Sequence, residues 1–323
     1  MKLGRVLLTV AGLNLVGADA VPAQQWPTKP VRVIVTFSPG GSSDITARTI
    51  VPALQARLGQ PFIVDNRPGA GATIGGGEVA RAAADGHTLL LSNTAAISLS
   101  PFMLDPMPYD PMKSFTHVSY IGSVPDVVMV HPSLPARTMT DLIAWIKAQP
   151  NPVPYGSGGI GSIGHILGEI FKTEHGLRME HVGYKGSVPM INDMLGGRLK
   201  FSFDTLPQNV AHIKAGTLIP IAVTSRARSA VAPEVPSVVE LGMPKLVAEN
   251  FLGVSGPAGL PEPVVARLHA AVQGALDDPA VVKRLSELGI AVRKMSSAEF
   301  TSFVRNQVTS WVPAVKASGA KLN

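Results

Sequence analysis

Two α/β units facing each other as a clamshell are what this sequence predicts. Three observations carry that expectation. A run of strand character at 31–37 (VRVIVTF) passes through Ser38-Pro39-Gly40-Gly41-Ser42-Ser43-Asp44 into a helical pattern at 45–58 that stops at Gly59. The same strand, glycine-rich loop and helix recur at 153–174. Composition agrees: 323 residues, 46% hydrophobic, 15% charged, with 32 Gly and 28 Pro, describe a loop-rich globular chain long enough for about two domains.

Before the first unit, Lys2 and Arg5 precede the apolar run 6–16, and small residues at Ala18-Asp19-Ala20 and Val21-Pro22-Ala23 mark cleavage sites. A run of about eleven residues is too short for the roughly 20 that span a bilayer. Residues 1–23 are therefore expected to be a signal peptide, and the rest an exported protein without further spans.

In the first unit, 61–65 (PFIVD) and 88–92 (TLLLS) are further buried strands, with a helix at 78–84 between them. The order β-α-β-α-β predicts a parallel sheet with right-handed crossovers. Strands at 119–124 and 127–130 then cross a Pro-rich region, and a helix at 140–148 starts on a cap from Thr140-Asp141. The second unit places strands at 153–155, 181–184, 200–204 and 219–225, with helices at 163–174, 188–195 and 208–214. Helices at 263–276 and 279–288 follow, and the capping box Ser296-Ser297-Ala298-Glu299 opens another.

The chemistry is expected in the two glycine loops. A loop leaving the carboxyl end of a parallel strand for a helix aims unpaired N–H groups, at the positive end of the helix dipole, into the crevice above the sheet. Gly40 and Gly41 allow close approach to a ligand, and Ser42 and Ser43 add hydroxyl donors. Asp44 either caps its helix or touches the ligand. In the second loop Gly156, Gly158, Gly159 and Gly161 alternate with the hydroxyls of Ser157 and Ser162. His165 either reaches the crevice or packs, and Asp204 at a strand end either meets a ligand donor or caps a turn before Pro207. Paired loops on paired units predict a small anion gripped at both ends.

Other chemistry finds little footing. The chain has no cysteine, so disulfides, thiolate metal sites and cysteine nucleophiles are excluded. The 28 Lys+Arg against 22 Asp+Glu are scattered, and no nucleic-acid motif accompanies them, so no nucleic acid is expected. The segment Gly69-Ala70-Gly71-Ala72-Thr73-Ile74-Gly75 misses the dinucleotide spacing and reads as a structural loop. Neither a G-x-S-x-G elbow nor a paired-histidine metal spacing occurs, and no cofactor or metal is expected. The rival class is a periplasmic hydrolase of small carboxylate esters or amides using Ser157 or Ser43 with His165.

The segments 37–48 (FSPGGSSDITAR), 65–75 (DNRPGAGATIG), 155–165 (YGSGGIGSIGH), 181–186 (HVGYKG), 203–216 (FDTLPQNVAHIKAG), AVTS with APEVPS, and 256–261 (GPAGLP) resemble, in order and spacing, the Bug receptors of tripartite tricarboxylate transporters. The resemblance implies a periplasmic binding protein-like clamshell of two α/β domains joined by two crossover strands. Domain 1 would hold 24–124 and 226–323, and domain 2 would hold 125–225. It further implies a di- or tricarboxylate, acidic amino acid or aromatic acid held by the loops at 38–44 and 155–162, largely through backbone amides, hydroxyls and waters. Capture, not catalysis, is then the expected mechanism, with an integral-membrane permease as partner and a monomeric receptor. Tyr184 is expected to wall the cleft, with Lys185 the nearest cation. Ser38 stands where the family commonly has proline, and Ser92-Asn93-Thr94 replaces a small-residue turn, which adds Ser38 and Asn93 to the ligand-binding candidates.

Overall fold

The computed structural model describes residues 26–322; the expected signal peptide lies outside the described residues. Strand β1 (Val31–Val35) is flanked by β2 (Phe62–Asn66) and β3 (Thr88–Asn93), both parallel to it. Val31, Val33 and Val35 are buried on one face and Ile34 on the other, which is why the run is apolar apart from Arg32. Helix α1 (Ser42–Leu58) begins three residues earlier than the sequence predicts, so Ser42, Ser43 and Asp44 form its first turn. Helix α2 (Thr73–Ala80) corrects the expected 78–84. Its glycines tolerate helix because they let it lie close on the sheet: a Cβ on Gly75 would stand 2.9 Å from the Arg67 carbonyl oxygen.

Strand β4 (Phe115–Val130) is one continuous element where two strands were expected. Helix α3 (Met139–Ala148) follows it, capped by Thr138 with Asp141 in a capping box, two residues before the Thr140 cap expected from sequence. The second unit sets β5 (Val153–Ser157) between β6 (Met179–Gly183) and β7 (Phe201–Thr205), all parallel, with α4 (Ile163–His175), α5 (Ser187–Leu195) and α6 (Val210–Lys214) connecting them and β8 (Ile219–Val223).

The element that the sequence reading lacks is β9 (Glu249–Pro257), which inserts antiparallel between β3 and β4. Up to Pro125, β4 pairs with β9; from Asp126 onward it pairs with β7 and β8. The chain thus crosses between sheets at Pro125-Asp126. It returns beside that point, where the Thr224 N–H donates to the Asp126 carbonyl and the Ala248 N–H donates to the Thr224 carbonyl. The fold is the two-unit α/β clamshell. Helices α7 (Glu262–Ala275), α8 (Pro279–Glu287) and α9 (Ser297–Ser318) close the chain, with the short strand β10 (Ala291–Val292) on the edge of β4. Trp311 and Val315 of α9 join the core of the second unit, tying the C-terminus across the crossing.

Candidate functional site

Three helices begin at one cavity. Gly41 precedes α1 and Gly186 precedes α5, and no side chain caps either helix, so their first N–H groups stay uncommitted. Ser162 precedes α4 and spends its hydroxyl on the His165 N–H. The cavity between them, of about 50 Å³, is lined by Ser38, Gly41, Ser42, Ser43, Gly158, Ser162 and Asp204 among the residues expected from sequence. Among the described residues no Lys or Arg lines it, so the positive potential there comes from oriented dipoles and hydroxyls.

The two units touch across this cavity. Ser38 Oγ donates to the Lys185 carbonyl at 2.5 Å, Thr205 Oγ1 to Ser42 Oγ at 3.3 Å, and Ser100 Oγ to the Gly161 carbonyl at 3.2 Å.

The remaining expected residues stand behind the lining. Gly40, at φ +86°, donates its N–H to Asp44 Oδ2, and Asp44 also accepts from Arg48 and Asn66. Burial alone would raise Asp44, but those donors outweigh it and hold the carboxyl below the usual range. Asn93 donates to Thr36 Oγ1 and Ser43 Oγ and accepts from the Ala96 N–H, which orients Ser43 from behind. Gly159, at φ +131°, sits where a Cβ would stand 2.7 Å from the Tyr184 carbonyl oxygen. Gly161 donates its N–H to His165 Nδ1. Tyr184 turns away and donates to Asp193.

Ser157 is fully buried and lies 2.7 Å from His181 Nε2, while accepting from the Gly159 N–H and Ser162 Oγ. The histidine beside it is therefore His181, and His165 stacks on that ring at 3.9 Å instead of serving the serine. Burial lowers His181 to about 3 and His165 to about 4, so both are neutral. No carboxylate hydrogen-bonds either ring among the described residues, so the orienting acid of a hydrolytic triad is missing.

Sequence reasoning missed Asp126, Ser187, Thr205 and Asn250 on the cavity wall. Gly186-Ser187 repeats the strand-loop-helix device a third time and was legible as such. Asp126 is the lone charge in the apolar run 121–130, a signal in itself. Asn250 lies on β9, which sequence reasoning did not find. Asp204 is saturated by Ser187 Oγ, Gln208 Nε2 and Asn209 Nδ2 at 2.6–2.9 Å.

The family model for the tripartite tricarboxylate transporter family receptor matches residues 46–320. This chain belongs to that family. It is 35% identical over 320 residues to protein BugT of Bordetella pertussis, covering 98% of both chains. An R. palustris protein solved with adipate superposes with a TM-score of 0.87 at 32% identity, over 92% of this chain and 99% of that one. MatC from Rhodopseudomonas palustris, solved with bound malate, gives 0.85 at 27%, over 90% and 100%. The protein is a solute receptor of that family and not an enzyme. Among the described residues, no helix is long and apolar enough to cross a membrane.

Proposed function

We propose that the receptor captures a small carboxylate in the periplasm and delivers it to the integral-membrane permease of a tripartite tricarboxylate transporter. The observation that carries this reading is the convergence of the α1, α4 and α5 N-termini on a cavity without basic side chains. The ligand carboxylate docks on the open N–H groups of α1 and α5 and the hydroxyls of Ser42 and Ser43. The contacts of Ser38 and Thr205 then close the units over it, and the permease reads the closed shape. Relatives solved with adipate and malate support an acid as solute. Residues 1–23 serve as the export signal, and the mature receptor works as a monomer without nucleic acid, cofactor or metal.

The test is a thermal-shift screen of the mature protein against aliphatic, hydroxy-, amino- and aromatic acids, including adipate and malate. A bound acid at 100 times its Kd adds about 2.7 kcal/mol of stability. A flat response to every acid would overturn the reading, as would ester turnover that Ser157→Ala abolishes.

A further inference from the structure

The cavity is bipolar. Donors ring its mouth, where the three helices begin, whereas its floor carries two carboxyls, Asp126 and Asp204. The two differ in one respect. Ser187, Gln208 and Asn209 all donate to Asp204. Asp126 is only 1% exposed, and its Oδ1 has no hydrogen-bond partner among the described residues.

The position of Asp126 is built rather than incidental. Its backbone is pinned at the crossing by Thr224, whose hydroxyl meets both the Asp126 N–H and carbonyl. Gly164 in the first turn of α4 comes so near that a Cβ there would lie 3.3 Å from Asp126 Oδ2. A buried carboxyl oxygen without a donor is costly to keep, and two carboxyls side by side repel when both are ionised. A cation on the floor removes both costs. Since no Lys or Arg lines the cavity, the ligand must bring it.

We propose that Asp126 is a specificity-determining residue that receives an ammonium group of the solute, so that this receptor takes an amine-bearing carboxylate in preference to a di- or tricarboxylate. The inference rests on the receptor reading above and narrows it. The carboxylate lies on the helix N-termini, and the ammonium, donating to Asp126 Oδ1, lies between the two floor carboxyls. A second carboxylate in that place would face two acids without a cation to separate them. Burial, with the Asp204 charge second, pushes the Asp126 carboxyl well above the ordinary range, and an arriving ammonium acts in the opposite direction, so that any proton held there is expected to leave on binding.

The test is calorimetric titration of the mature protein with matched pairs: L-aspartate against succinate, L-glutamate against glutarate, 4-aminobutyrate against butyrate, with malate, adipate and a buffer series added. In at least one pair the amine-bearing member is expected to bind about tenfold tighter or more, with proton release, and Asp126→Asn is expected to weaken it about 100-fold while moving its partner little. If Asp126→Asn does not fold, the wild-type preference and proton release decide. Succinate, glutarate and butyrate binding as well as their amines would overturn the inference and leave the carboxylate receptor standing. Malate exceeding succinate by as much as aspartate does would also overturn it, since any hydrogen donor would then serve. Failure of every acid to bind would instead overturn the receptor reading.

Discussion

The loop at 38–44 and the loop at 156–162 join a parallel strand to a helix with the same residue types, glycine and serine, yet they spend their donors differently. In the first, Gly41 leaves α1 uncapped, and Ser42 and Ser43 face the cavity while Asp44 and Asn93 brace them from behind. In the second, Ser162 caps α4, Ser157 is absorbed by His181 and Gly159, and Gly161 serves His165. The first loop keeps its donors for a ligand, and the second spends most of them holding its own shape. Glycine and serine content therefore marks where a grip can form but not which donors remain free to make it.

One substitution in both loops puts this contrast at most risk. Gly159→Val combines positive φ with a Cβ 2.7 Å from a carbonyl oxygen and should cost about 2–4 kcal/mol of stability. Gly41 has φ −78° and only ordinary contact at 3.6 Å, so Gly41→Val should cost about 1 kcal/mol or less. It should instead weaken carboxylate binding about ten- to a hundredfold, through loss of one charge-assisted hydrogen bond. Urea unfolding beside calorimetric titration reads both effects, and equal stability losses in the two variants would erase the distinction between the loops.

Acid sharpens the same comparison, because only the second loop is backed by neutral imidazoles. The folded state refuses protons at His165 and His181 until about pH 4 and 3, whereas the unfolded chain accepts them near 6.5. Stability is thus present above 6.5 and lost as pH falls, by about 1–2 kcal/mol per histidine between pH 7 and 5. His117, also lowered to about 4 by burial, adds its own loss, and the raised Asp126 and Asp204 act in the opposite sense. All three contribute equally to wild type and to His181→Gln. Unfolding midpoints at pH 7 and 5 should show the variant losing about 1–2 kcal/mol less than wild type; an identical loss would mean that His181 titrates freely.

The smallest effect concerns the contact of the first loop with the turn before α5. Ser38→Ala removes the hydrogen bond to the Lys185 carbonyl and should weaken ligand binding by about 0.5–1.5 kcal/mol, or roughly three- to tenfold, by destabilising the closed form. Unchanged affinity would show that closure does not depend on that bond.

Much of the architecture was legible because it is local. Strand, loop and helix follow one another within about thirty residues, and β1 announces itself through residues buried on both faces. The capping box at Ser296 and Glu299 was likewise readable in four letters. Where the reading missed, the deciding partner lay far away in the chain. β9 is a strand because β3 and β4 flank it, although its sequence, Glu249–Pro257, holds two glycines and ends on a proline. α2 runs through three successive glycines, two of them crowded by groups far away in the chain: a Cβ on Gly75 would meet Ile34 of β1, and one on Gly76 the Tyr109 ring.

The sequence by itself determined the two units, the residue types that greet an anion and the family to which the chain belongs, since each is written in contiguous runs. Only the tertiary structure decided which donors stay free. Ser157 is spent because His181, 24 residues on, stands within 2.7 Å, and Asp204 on β7 is satisfied by Ser187 from α5. Asp126 Oδ1 has no hydrogen-bond partner among the described residues, at the point where β4 crosses between the units. Hydrogen-bond balance is a property of what converges in space, and convergence is not encoded in any single stretch of chain.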